Sequence, residues 1–321
     1  MISNKGIQPS TILDAASRIS PHIHRTPVLT SKTINSFFNT QLFLKCENFQ
    51  KVGAFKARGA TNAVLSLDQV QQSCGVATHS SGNHAQALSW AASLVNAKAY
   101  IVMPENSSKV KVAAVKDYGG IIRFCVPTLE ARETTLQEIL DQTGSTENHP
   151  YNNEQVIAGQ ATAALELIDE VKDLDMILAP VGGGGLLSGT SLAVHYFLPQ
   201  AKVIGAEPDQ ANDAYLSFTN KTFIPSLNPQ TIADGLLTSL GSITCPIILT
   251  HVHQIVTVSE ESIVKSMRYL WERMKIIVEP SSAVPFAAIM ESKVDIAGKR
   301  VGIIVSGGNV DLENLPWMKN G

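Results

Sequence analysis

Short apolar runs alternate with longer stretches of helical periodicity along most of this chain. That alternation constrains the fold more than any other feature. "QLFLKCE" (41–47) reads as a strand and "FKARGATNAVLSL" (55–67) as a helix. The pattern continues with strand 75–81, helix 83–96, strand 97–104, helix 107–119, strand 119–126 and helix 128–142. Helix 155–171, strand 176–181, helix 185–197 and strand 201–207 follow. The helix at 107–119 opens on serine, which caps free N–H groups, and closes on glycine, which suits a helix end. Strands linked through helices lie parallel and are covered on both faces. With 321 residues the chain is long enough for two cores. The expectation is an α/β protein with parallel-type twisted sheets covered by helices. Residues 1–68 and 150–321 form the larger domain, and 69–149 form a smaller inserted one. Ligands of such sheets bind beyond the carboxyl ends of the strands.

Charge and composition exclude several classes of function. Lys+Arg total 25 against 28 Asp+Glu, a formal net charge of −3. No basic surface for nucleic acid or an anionic membrane follows from that balance. No apolar run reaches the roughly 20 residues needed to span a bilayer. The opening "MISNKGIQPS" lacks the apolar core of a secretion signal. Cys46, Cys74, Cys125 and Cys245 are far apart and show no ligand spacing. They read as reduced thiols of a cytoplasmic protein rather than a zinc site.

The chemistry is concentrated in loops that follow strands. "PVGGGGLLSG" (180–189) joins a strand to a helix. Consecutive glycines let backbone N–H groups converge on an anion, and the helix dipole adds to the attraction. A plain flexible turn is the bland alternative, and four glycines are entropically expensive for that. Dinucleotide binding is half satisfied: Gly183 and Gly185 fit, but the third glycine position holds Ser188. Glu207 stands about 20 residues on, where a ribose-binding acid belongs. "HSSGNHAQ" (79–86) gathers Ser80, Ser81, Asn83 and His84 around Gly82, more polar groups than one helix cap needs. "SGGN" (306–309) is a third small polar loop after a strand. "EPDQAND" (207–213) carries Glu207 and Asp213, which read either as a solvated loop or as ligands of a hard cation. Arg132 in "EARE" reads as a surface charge or a carboxylate clamp. Lys56 in "GAFKARGA" is a long amine crowded by small residues. That setting suits a desolvated nucleophile beside a flat partner.

Taken in order, "ENFQKVGAFKARGA", "THSSGNHAQAL", "HPYNNEQVIAGQ", "PVGGGGLLSG", "AEPDQAND", "TIADG", "ERMKIIVEP" and "SGGNVDL" cover roughly residues 10–315. The chain resembles the serine racemase and serine/threonine dehydratase family of fold-type II pyridoxal-phosphate (PLP) enzymes, a tryptophan synthase β-like fold. The resemblance implies that Lys56 carries the cofactor, with Phe55 packing against it. Gly182, Gly183, Gly184, Gly185 and Leu186 hold the phosphate, Asn83 meets the ring hydroxyl and Ser306 the ring nitrogen. A hydroxyl at that nitrogen makes a milder electron sink than an acid, which suits elimination or racemisation.

Lys56 and Ser81 are implied as bases on opposite faces of the substrate, as racemisation requires. Ser80, Ser81, Asn83, His84 and Arg132 are implied substrate contacts, and the smaller domain closes over the substrate. Glu207, the Ala211 carbonyl and Asp213 match a divalent-cation site for Mg²⁺, Mn²⁺ or Ca²⁺. Gln86, Lys111, Ala114, Tyr118, Lys275 and Asn309 fall where racemases bind ATP as an activator, at the interface of a homodimer.

Departures from the family bear on substrate choice. Ala54 stands where many members have serine, and Tyr151 where some animal racemases have asparagine. "YNNEQ" lacks the triple serine of animal aspartate racemases. The chain stops shortly after "NVDL", which leaves no room for the regulatory domain of threonine deaminases. The expected activity is interconversion of L- and D-serine, accompanied by elimination from serine or threonine. The alternative is a serine/threonine or 3-hydroxyaspartate dehydratase. A nucleotide-binding oxidoreductase or sensor is the reading from a different class.

Overall fold

The computed structural model describes residues 6–318. Residues 1–5 and 319–321, the outer limits of the expected larger domain, lie outside the described residues, as does half of "MISNKGIQPS". The described residues form ten strands: β1 (Val28–Leu29), β2 (Gln41–Cys46), β3 (Val76–His79), β4 (Ala99–Pro104), β5 (Ile121–Cys125), β6 (Thr146–Glu147), β7 (Met176–Pro180), β8 (Lys202–Pro208), β9 (Gln254–Val258) and β10 (Arg300–Val305). The helices are α1 (Pro9–Ile19), α2 (Lys32–Phe38), α3 (Lys56–Leu65), α4 (Gln69–Cys74), α5 (Asn83–Ser93), α6 (Lys109–Asp117) and α7 (Leu129–Thr143). They continue with α8 (Glu154–Glu170), α9 (Gly185–Phe197), α10 (Asp213–Asn220), α11 (Thr244–His251), α12 (Glu260–Met274) and α13 (Pro280–Met290).

The strands form two sheets. One has six strands in the order β1-β2-β10-β7-β8-β9, and the other has four in the order β5-β4-β3-β6. All pairings are parallel except β1 with β2. The α/β class with helix-covered parallel sheets is therefore as expected, with one short antiparallel edge added. Every residue of β7 is buried, as a strand covered on both faces should be. Alternation sends its side chains to opposite sides. Ile177 and Ala179 join the core under α8 and α9. Met176 and Leu178 join the core under α12 and α13.

Helix α3 joins the two halves. Ala57, Ala60 and Val64 pack with Ala85 and Leu88 of α5 and with Ile101 and Met103 of β4. Its other face crosses α8 so closely that a Cβ on Gly159 would lie 2.6 Å from the Arg58 carbonyl oxygen. Buried charges lock this crossing. Arg58 donates to both oxygens of Glu47 at 2.7 and 2.8 Å, and to both oxygens of Glu166 at 2.8 Å. Lys45 donates to Glu166 at 2.6 Å and to the Thr26 carbonyl at 2.7 Å. These acids hold the Arg58 guanidinium well above its ordinary range despite its burial. All four cysteines are free, and Cys46, Cys125 and Cys245 are buried. Among the described residues, no helix is long and apolar enough to cross a membrane.

Candidate active site

Lys56 is the first residue of α3. The amine donates to the Pro150 carbonyl at 2.7 Å and lies 5.1 Å from the centre of the Phe55 ring. Desolvation lowers its pKa to about 8, while Glu279 pulls in the opposite direction. A lysine in that range supplies neutral amine near physiological pH.

The glycine loop lies next to this amine, as Tyr151 shows. Tyr151 follows Pro150, and a Cβ placed on Gly183 would lie 2.3 Å from its ring. Gly184 takes φ +87°, and a Cβ there would meet Ile248, Leu240 and Thr244 within 2.9 Å. A side chain at either position would collide with these walls and deform the loop. Thr244 donates to the Gly183 carbonyl at 2.8 Å, tying it back. The amides of Gly182–Leu186 stand at the start of a 13-residue helix. Free N–H groups at a helix start attract an anion.

A polar floor completes the site. Asn83 donates its amide to both oxygens of Glu279, at 3.0 and 3.1 Å. Its own carbonyl accepts from Asn309 at 2.9 Å. Asn309 also donates to the Val52 carbonyl at 2.8 Å. Ser306 is buried and lies 2.9 Å from Ser282 Oγ, and its carbonyl accepts from the Phe55 N–H at 2.9 Å. Burial pushes the Glu279 carboxyl up to about 7. Glu279 and Pro150 were not among the residues expected from the sequence. A buried glutamate and a backbone carbonyl leave little trace in residue type.

The remaining expected residues divide. Ser80 and Ser81 lie in the loop before α5, where the Gly82 N–H reaches Ser80 Oγ at 3.4 Å. Among the described residues, the Ser81 hydroxyl is engaged by no hydrogen bond. His84 turns inward: its Nε2 lies 3.1 Å from the Asn148 carbonyl, and burial with nearby Lys56 lowers its pKa to about 3. The ring is neutral in that position, and its Nδ1 has no hydrogen-bond partner among the described residues. Arg132 lies on α7 in the four-stranded half, where Nε reaches the Thr128 carbonyl at 3.4 Å. Its charge is felt at His79 and Tyr151.

Glu207 and Asp213 form a second locus. Glu207 accepts the N–H groups of Ala214 at 3.1 Å and Tyr215 at 2.9 Å, capping α10. Burial and Asp213 together raise its pKa well above the usual carboxylate range. Asp213 is pushed up to about 6. Ser226 and the Leu240 backbone stand near Asp213, but neither of its oxygens has a hydrogen-bond partner among the described residues. Two buried acids, one of them orphaned, suit a hard cation. Ala211 is buried beside them in the same loop.

The expected nucleotide residues are spread over several elements. Gln86 is buried on α5, Ala114 lies on α6, Tyr118 ends α6 and Lys275 ends α12. Lys111 is held in an ion pair by Asp234.

Comparison with known proteins agrees with this geometry. A family model described as "Pyridoxal-phosphate dependent enzyme" matches residues 19–307. The chain is 50% identical over 306 residues to a beta-hydroxyaspartate dehydratase of Paracoccus denitrificans, covering 95% of this chain and 97% of that protein. It is 49% identical over 316 residues to a serine racemase of Dictyostelium discoideum, covering 96% and 97%. The crystal structure of serine racemase from Dictyostelium discoideum superposes with a TM-score of 0.90, covering 94% of this chain and 98% of that one.

Proposed function

The chain belongs to the family of pyridoxal-phosphate dependent enzymes, and from that premise we propose that it interconverts L- and D-serine. Elimination from serine or threonine to a keto acid and ammonia accompanies the inversion. The observation that carries this reading is the buried placement of the Lys56 amine, 2.7 Å from the Pro150 carbonyl and 5.1 Å from the centre of the Phe55 ring, beside the glycine loop that Tyr151 packs on.

The residues present fit the cofactor. Gly182–Leu186 would hold its phosphate, Lys56 its aldehyde carbon, Asn83 its ring hydroxyl and Ser306 its ring nitrogen, with Phe55 against the ring. Bound pyridoxal phosphate supplies a sink for the electrons of the substrate Cα–H bond. The α5 N-terminus with Ser80 and Asn83 orients the substrate carboxylate. Lys56 takes the Cα proton on one face, and Ser81 returns one on the other. Loss of the β-hydroxyl as water in place of that return leaves an enamino acid, whose imine tautomer is hydrolysed to the keto acid and ammonia. Arg132 forms no ion pair with a carboxylate among the described residues and could close over the substrate with residues 69–149.

The similarity to the Paracoccus beta-hydroxyaspartate dehydratase supports the second reading, a dehydratase with little inversion. Incubation with L-serine, Mg²⁺ and pyridoxal phosphate, assayed for D-serine and pyruvate together, separates the two. D-serine well above a Ser81→Ala control is expected. Pyruvate without D-serine selects the dehydratase, and neither product sends the search to 3-hydroxyaspartate. Borohydride should fix the cofactor covalently in the parent protein and not in Lys56→Ala.

The reading includes a divalent cation at Glu207, Ala211 and Asp213, supported by the orphaned Asp213 oxygens. A chelator should then lower Tm in the parent protein and leave Asp213→Asn unmoved. An equal response in both proteins removes the site. ATP as an activator near Lys111, a homodimer and a cytoplasmic location complete the proposal. They rest on the likeness to serine racemases alone.

A further inference from the structure

Gln160 is the unexplained polar group beside the cradle. It lies on α8 within an almost wholly buried run from Val156 to Ala164 and is 0% exposed. Its polar neighbour Thr162 is satisfied, donating to the Gly159 carbonyl at 2.6 Å and accepting from Arg58 at 3.1 Å. Gln160 is not satisfied: among the described residues, neither Oε1 nor Nε2 has a hydrogen-bond partner. Buried amides without partners are rare and need a reason.

Its position supplies one. A Cβ on Gly185, the first residue of α9, would lie 2.6 Å from Gln160 Oε1. A Cβ on Gly59, three residues beyond Lys56, would lie 3.0 Å from Gln160 Cγ. The side chain therefore bridges from the lysine-bearing helix to the mouth of the cradle. No partner fixes which end of the amide is nitrogen, so Nε2 is free to face the loop. A phosphate with one ordered water offers both an acceptor and a donor, which is what an amide open at both ends requires. A neutral donor also adds a hydrogen bond without placing a second cation beside Lys56.

We propose that Gln160 is a phosphate-binding residue of the cofactor site, adding a side-chain donor to the backbone cradle. This rests on the reading of the chain as a pyridoxal-phosphate enzyme. The test compares pyridoxal phosphate with pyridoxal, which lacks the phosphate, by absorbance titration of the apo-protein. In Gln160→Leu, affinity for pyridoxal phosphate falls about 10-fold or more, the usual effect of losing a hydrogen bond to a charged group. Affinity for pyridoxal stays the same. The Tm of the apo-protein is unchanged or higher, because a buried orphan amide has been removed. A residue needed only for packing would lower the apo Tm and weaken both ligands equally, and that result overturns the proposal.

Gln160→Glu, close in shape, covers the case in which the leucine variant does not fold. It places a carboxylate against the phosphate, so its loss of pyridoxal phosphate affinity should exceed 10-fold with pyridoxal spared. Parent-like binding of pyridoxal phosphate in that variant also overturns the proposal. If the parent protein binds no pyridoxal phosphate, the cofactor reading itself fails, an outcome distinct from an unchanged ligand ratio in the variants.

Discussion

Lys56 and Glu279 are opposite charges in one buried site, and burial moves both toward neutrality. Capture of an aldehyde needs the neutral amine. Uptake of pyridoxal phosphate by the apo-protein should therefore rise with pH and level off above about 8, the value to which desolvation lowers Lys56. Glu279 raises Lys56, so Glu279→Gln should move the midpoint of uptake to lower pH, as measured by stopped-flow absorbance. An unmoved midpoint would mean that the two charges do not interact. Stability carries the same information with opposite signs. Between about 8 and the ordinary lysine value of 10.5, the unfolded chain binds more protons at Lys56, so its contribution to stability rises with pH. Between the ordinary 4.5 and about 7, the native state binds more protons at Glu279, so its contribution falls as pH rises and the full penalty is present above 7. Urea midpoints across pH 4.5 to 7 should fall less steeply in Glu279→Gln than in the parent. Residue type alone pointed to a desolvated amine at Lys56, because an amine crowded by alanines and glycines is unusual, and its burial agrees. It did not disclose Glu279, because glutamate is ordinarily exposed.

At the scale of elements, the lysine is aimed by the anchoring of α3. The helix has no side-chain N-cap, and its first turn is held from behind by Arg58. Replacing Arg58 by alanine leaves Glu47 and Glu166 buried without their main partner. That should cost about 3–5 kcal/mol, the range for breaking a buried ion pair on one side. Arg58→Lys should recover little, since one ammonium cannot serve two carboxylates in the fork geometry of a guanidinium. Chemical denaturation of both variants checks this, and a loss under about 1 kcal/mol in Arg58→Ala would show that the network is dispensable. None of this network was legible beforehand. Lys45 reads as an ordinary strand residue, and its contact with Glu166 spans 121 positions in sequence. The long periodic elements, by contrast, were legible to within a few residues: α5 and α9 begin at residues 83 and 185, as their patterns require. The two-residue strands β1 and β6 were not, because two residues carry no periodicity.

At the scale of the whole molecule, the order of the strands was beyond reach of the sequence pattern. Alternation fixes that strands are parallel, yet nothing in "RVGIIV" says that β10 inserts between β2 and β7. That insertion brings the Ser306 carbonyl within 2.9 Å of the Phe55 N–H, next to Lys56. The two sheets are also linked by charge, since Lys111 of α6, which packs on the four-stranded sheet, reaches Asp234 in the chain between β8 and β9 of the other sheet. The lysine side chain is 33% exposed and the aspartate 51%. A pair so open to water contributes at most about 1 kcal/mol to stability and is screened by salt. Its effect should therefore fall on the spacing of the two halves rather than on folding. Asp234→Asn should leave Tm within a few degrees of the parent and raise KM several-fold, and KM should depend on salt in the parent but not in the variant. Steady-state kinetics at low and high ionic strength, with small-angle scattering for the radius of gyration, measure this directly. A variant that keeps the parent's salt response would place the electrostatic control of the cleft elsewhere, with Arg132 the next charge to remove.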